Sequence, residues 1–304
     1  MSYLLRLVAC LFLCVSLNSF GAYYVKTDGS TSPIRDDSYP YSEPYSGPNI
    51  GPNLNIGNVQ LINYQLDNAD LRNSTINLSG VSSSFQNSNF DNANINATNL
   101  EQIDFSGSTF LNAQFNINSC SLYMSNTNLN GASGSIHSCN ENSFSNSNIS
   151  NAYIQFSGDG FDFEHSNLQD SDFSGSNIYY SSFSNSSINN SNLSDSILYG
   201  VFFNNSDLKG TNFANSTFID VHFVGADLRS SNFFGVQLCV EYFEFAECGQ
   251  RSTFDGSLYN ESTVFAQGMD PQSLGMIFVS EVPLPAGIYL FLSGLVGLGL
   301  VKRK

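Results

Sequence analysis

The side chains able to do chemistry in this sequence are few and poorly spaced for it. His137, His165 and His222 stand far apart, without metal-ligand spacing, and no Gly-x-Ser-x-Gly, His-Glu-x-x-His or phosphate-cradling glycine loop occurs. Asp159, Asp162 and Glu164 fall close together and could hold Ca²⁺ weakly. The full calcium-loop pattern is missing, so a solvated turn is expected there. The reading is therefore of a non-enzyme with no catalytic residue, no metal and no cofactor.

Cysteine says more about compartment. Cys10 and Cys14 lie in the first 22 residues, where Arg6, an apolar run from Leu7 to Leu17, and small Ser19 and Gly21 before Ala22 have the form of a secretory signal peptide. Leu7-Val8-Ala9-Cys10 also spells a lipoprotein cleavage box, but too little apolar sequence precedes it for insertion. Export would leave Cys120, Cys139, Cys239 and Cys248, an even number that suggests two disulfides. The alternative is that Cys120 and Cys139 are small buried apolar side chains.

The chain is 41% hydrophobic and only 12% charged, with 26 acidic against 10 basic residues. Such a surface repels nucleic-acid phosphates and anionic membrane headgroups, so no nucleic-acid partner is expected. Residues 23–55 hold five prolines among Tyr, Ser, Asp and Gly, and read as an extended linker. Residues 56–266 hold no proline at all. A proline-free, Asn/Ser-rich stretch is either disordered or built on a ladder that uses every backbone N–H.

Apolar periodicity decides between the two. Every fifth residue is apolar in four blocks, Ile56–Ile76, Phe85–Phe115, Met124–Ile154 and Phe163–Leu238, with Gly134 the one exception in 35 positions. A five-residue step stays on one side of neither a helix nor a strand. It does so if the chain turns a corner once per unit and stacks coil on coil, as a solenoid does.

The units themselves resemble those of the pentapeptide-repeat family. Ala69-Asp70-Leu71-Arg72-Asn73, Ser171-Asp172-Phe173-Ser174-Gly175 and Ala226-Asp227-Leu228-Arg229-Ser230 each carry a small residue, an acid, an apolar centre and two polar residues. The resemblance implies an all-β, right-handed, four-sided β-helix with four units per coil, and on that basis residues 56–238 make roughly nine coils. Three steps of nine residues, at Ile76–Phe85, Phe115–Met124 and Ile154–Phe163, then predict that 77–84, 116–123 and 155–162 stack on one side as irregular turns. Cys120 and Cys139 should sit one above the other and pair, and Cys239 with Cys248 should close a bulged loop before a capping coil at 252–266.

Beyond a linker at 267–281, Val282-Pro283-Leu284-Pro285-Ala286 precedes an apolar run from Gly287 to Val301 and a basic end, Lys302, Arg303 and Lys304. This resembles the PEP-CTERM sorting signal of Gram-negative bacteria. It implies an exosortase-type processing enzyme as partner, a C-terminal transmembrane helix, a transient stay at the inner membrane, and delivery to the cell surface or extracellular matrix. Within that setting the rod would be structural or would bind extracellular polysaccharide or surface proteins. Two other readings are an acidic, DNA-mimic-like rod that binds a protein partner, and a β-helix acting on polysaccharide. Export argues against the first, and the scattered Arg72, Lys209, Arg229 and Arg251 argue against the second.

Overall fold

The computed structural model describes residues 22–34, 45, 47–238 and 252–280. From residue 163 to 235 the five-residue unit has one geometry. Its central Leu, Ile or Phe points inward, and the residue two places later turns the corner. From His165 to Gly235 every fifth residue has φ between 49° and 71°. Twelve of these fifteen corners are Asn, Asp or Gly, the types that enter the left-handed region most readily. The abundance of Asn is thus a demand of the backbone as well as a solvated surface.

The small residue two places before each centre also points inward. Ser166 Oγ donates to the Phe144 carbonyl at 2.7 Å and Ser191 Oγ to the Leu168 carbonyl at 2.6 Å, each reaching the coil before. Both serines are buried, and these bonds satisfy hydroxyls that would otherwise be costly to bury.

Coils pair in parallel. Ile178 lies beside Leu198, Leu198 beside Phe218, and Phe218 beside Leu238. The chain makes about eleven coils in all, a rod of roughly 50 Å at ~4.8 Å per strand. That exceeds the nine expected because coils form on both sides of residues 56–238.

The N-terminal half departs from the regular unit along one side. Strands β3 (Asn55–Ile62), β4 (Thr75–Val81), β5 (Asn94–Asp104), β6 (Gln114–Tyr123), β7 (Ser133–Ser138) and β9 (Tyr153–Asp159) run there, with short β8 (Asn142–Ser143) and β10 (Phe161–Asp162) at the edge. The sheet continues through β11 (Asn177–Tyr179), β12 (Ile197–Tyr199), β13 (Thr217–Ile219) and β14 (Gln237–Leu238). Segments 77–84, 116–123 and 155–162 do stack on one side, but mainly as extended strand within β4, β6, β9 and β10 instead of as irregular turns. Where no corner interrupts the chain, side chains alternate in and out. Leu78, Ala97, Ile117, Ile136 and Phe156 are buried by that alternation.

The same alternation corrects the central column. Of its 35 positions, Gly134 has no side chain, and Cys139 and Leu238 face outward; the rest are buried. At Cys139 the strand has carried Ile136 and Ser138 inward, so the next residue points to solvent. The core is an unbroken cluster from Tyr24 to Met276. Phe163, Phe183, Phe203, Phe223 and Phe254 stack in one column with centroids 4.5–5.1 Å apart. Aromatic pairs of this kind add ~0.5–1.5 kcal/mol each beyond area burial.

Both expected linkers carry structure. Strands β1 (Tyr23–Val25) and β2 (Thr31–Pro33) pair antiparallel, and β1 with the residue after it docks on the first coils through bridges Tyr24–Ile50 and Lys26–Ala69. At the other end β15 (Leu258–Tyr259) pairs in parallel with β16 (Ile277–Phe278), which lies inside the expected 267–281 linker. A solenoid end exposes unpaired backbone groups and apolar side chains, and these pairings cover part of each.

Candidate interaction surface

With its interior filled by side chains, the rod can act only through its outer faces, and one of them differs from the others. On the long sheet the outward positions of β3 to β9 form parallel columns. The central column is Asn58, Asn77, Asn96, Asn116, Ser135 and Gln155, in register from strand to strand. Asn77 Nδ2 donates to Asn58 Oδ1 at 2.8 Å, and Ser135 Oγ donates to Asn116 Oδ1 at 3.0 Å. Flanking it are Thr75, Asn94, Gln114 and Ser133 on one side, and Gln60, Ser79, Asn118 and His137 on the other. No Lys, Arg, Asp or Glu occurs in these three columns; Asp159 ends β9 beside Tyr179 of the next strand, and Glu101 is exposed further along β5. A depression of about 490 Å³ opens in the middle of the face, beside Asn96, Asn116 and Gly134.

Further along the same sheet the outward residues become aromatic. Tyr153 is 63% exposed and Tyr180 61%. The rings of Tyr180 and Tyr199 lie 4.8 Å apart. A hydrogen bond with Tyr199 raises the Tyr180 phenol above its usual range, helped by slight burial and by the charges of Tyr199, Asp159 and Asp220. At the adjoining corner Phe202 stacks on His222 at 4.8 Å, and His222 Nε2 lies 3.1 Å from Asp220 Oδ1.

Among the described residues the cations lie elsewhere: Lys26 Nζ lies 6.0 Å from the centroid of the Tyr24 ring, and Arg72, Lys209 and Arg229 are in ion pairs. Arg72 meets Asp70 at 2.7 Å, Arg229 meets Asp227 at 2.7 Å, and Lys209 lies 3.1 Å from Asp207 and 3.3 Å from Asp227. Burial works to raise the carboxyls of Asp70 and Asp227. Hydrogen bonds from the Arg72 and Arg229 guanidiniums and backbone N–H groups outweigh it, and both carboxyls are held below the usual range.

Asp159, Asp162 and Glu164 do not converge. Asp162 Oδ1 accepts from the Glu164 backbone at 2.9 Å, Glu164 Oε1 accepts from Ser182 Oγ at 2.9 Å, and among the described residues no group of three possible metal ligands forms. Cys120, in β6, and Cys139, just after β7, are bonded to each other, with Cα atoms 5.0 Å apart. Cys239, Cys248, the Val282–Ala286 motif and Lys302, Arg303 and Lys304 lie outside the described residues, as does the expected C-terminal transmembrane helix. Among the described residues no helix is long and apolar enough to cross a membrane. The polar columns were missed in the sequence because they follow the two-residue strand period; the run Thr75-Ile76-Asn77-Leu78-Ser79 carries that signal.

The disulfide closes a loop across a separation of 19 residues, for which chain entropy gives on the order of 3 kcal/mol. Reduction should lower the chemical denaturation midpoint accordingly, and the Cys120→Ser, Cys139→Ser double variant should match the reduced protein. An unchanged midpoint in both would show that this bridge does not constrain the unfolded chain.

The coils define a parallel β-solenoid. Residues 83–116, 162–195 and 196–235 match the family model for pentapeptide repeats, in 8 copies. No curated protein matches the sequence. Among solved structures it is similar to the pentapeptide repeat protein Rfr23 from the cyanobacterium Cyanothece 51142, at 20% identity, covering 34% of this chain and 63% of that one, with a TM-score of 0.30. It thus spans less than two thirds of Rfr23. It is also similar to HetL from Nostoc sp. strain PCC 7120, a protein involved in heterocyst differentiation regulation, at 16% identity, covering 61% and 83%, with a TM-score of 0.30. A third is a trypsin-treated form of QnrB1, a plasmid-mediated fluoroquinolone resistance protein, at 18% identity, covering 72% and 90%, with a TM-score of 0.31.

Proposed function

We propose that this chain is an exported, non-catalytic rod that works through its outer faces at the cell surface or in the exopolysaccharide matrix of a Gram-negative bacterium. The observation that carries the non-catalytic part is the continuous core, which fills the solenoid and leaves its outer faces to meet a partner. The leader at 1–22, the cysteine pair at 120 and 139, and the Val282–Ala286 motif followed by an apolar run and a basic end support export and processing. The tail at 282–304 would dock as a short helix in the inner membrane. Gly287 to Val301 would rise about 22 Å as a helix, short of the ~30 Å hydrocarbon core. It suits brief presentation to an exosortase-type enzyme better than permanent anchoring, with the basic end on the cytoplasmic side.

Intact-mass analysis of the protein from an exosortase-positive host tests this. The expected mature chain lacks the first 22 residues, ends near Pro283–Ala286 and is recovered from the surface or medium. A chain still ending at Lys304 in the inner membrane would refute the sorting, and one retained whole in the cytoplasm would refute export.

A further inference from the structure

We infer that the outer face of the long sheet is a docking surface for an uncharged polysaccharide; this rests on the reading that the rod works outside the cell. The face offers six rungs of like amide or hydroxyl groups in register, from Asn58 to Gln155. An array that repeats at every strand is matched only by a ligand that repeats as well, which favours a polymer over a small molecule. Each Asn side chain has two N–H donors and an oxygen with two lone pairs. The column bonds at Asn77–Asn58 and Ser135–Asn116 use only part of that capacity. What remains is directed outward, where sugar hydroxyls can both donate and accept.

Charge selects among polymers. A chain with a formal net charge of −16 and no cation on this face repels nucleic acid, sulfated glycans and polyuronates. The same repulsion opposes a second copy of the rod on this face. Tyr153 lies beside Gln155 on β9, Tyr179 and Tyr199 follow Asp159 on the next two strands, and Tyr180 flanks them at the corner. These side chains combine a large apolar ring with a polar tip, as needed to cover the C–H face of a pyranose while bonding its hydroxyls. The depression beside Asn96, Asn116 and Gly134 would seat one sugar unit at the centre of the strip.

Retention of the full-length exported protein on insoluble, unsubstituted glucan and galactan, against their carboxymethylated counterparts, tests the assignment. Retention by at least one neutral polymer is expected to exceed that by its carboxymethylated form at least tenfold. The pair Asn96→Asp with Asn116→Asp, and separately the pair Tyr180→Ala with Tyr199→Ala, should each lower it about tenfold without changing the circular dichroism spectrum. Phe234→Ala, outside this sheet, should leave it unchanged. Equal retention by the charged polymers, retention by none, or indifference to both variant pairs would overturn the assignment. So would self-association in the ultracentrifuge that the Asp variants abolish, since the face would then pair with a second copy. Cell fractionation separates the two proposals: an exported rod that binds no neutral polymer defeats only the docking surface, whereas a cytoplasmic rod defeats the export reading.

Discussion

Gly134→Ala is expected to destabilise the rod by roughly 4 kcal/mol or more, among the largest effects for a single methyl group. Gly134 has φ +141°, and a Cβ there would lie 1.7 Å from the Phe115 carbonyl oxygen. The atom it meets is backbone, so no rotamer change relieves the overlap, and moving the strand would break the β6–β7 ladder. Gly80 sits in the same way over the Leu61 carbonyl, with φ +141°. Gly134 is thus the one gap in the five-residue column because the chain passes too close to its neighbour for any side chain. Urea denaturation followed by circular dichroism reads the change. A loss below about 1 kcal/mol would mean that the coils can separate locally and that this close approach is not a requirement.

Phe183→Ala should cost about 3–5 kcal/mol. Its ring stacks on Phe163 at 4.5 Å and on Phe203 at 5.0 Å, so the cavity would open in the middle of the column with no solvent route to fill it. Collapse is hampered because each neighbouring ring is held by the next. Phe234→Ala is the control, since that ring is 66% exposed, and surface changes of this kind fall within about ±0.5 kcal/mol. Equal effects of the two substitutions would show that the stack does not carry the stability assigned to it.

Much of the fold was legible because a five-residue apolar step has few physical solutions. The column from Phe163 to Phe233 is buried as its spacing implied. Cys139 shows the limit of that rule. Counting by fives places it inside, but a strand without a corner follows a period of two, and only the local run Ser135-Ile136-His137-Ser138 reveals the change. Composition alone does not mark the Asn-rich corners as turns. Their regular place two residues after each centre reflects φ, which a residue type suggests only when the turn is already known. The β1–β2 hairpin was not legible at all: three-residue strands carry no periodicity, and they are held by partners at Ile50 and Ala69 that are distant in sequence. The candidate surface was hidden for a related reason, since single Asn and Ser residues look alike in sequence and become a face only when consecutive coils bring them into line.

Coil-to-coil pairing runs mostly at 19 or 20 residues, as from Ile76 to Ile95 and from Leu198 to Phe218. Each new coil therefore closes a loop of constant, modest length however long the rod becomes, and the entropy of closure does not grow with chain length. Assembly can start at any well-packed coil and advance by addition to a finished edge. Seen this way the molecule behaves as a one-dimensional crystal. Its rate of growth is set by a single step, its weakest points are its two ends, and a pull along its axis would peel it one coil at a time.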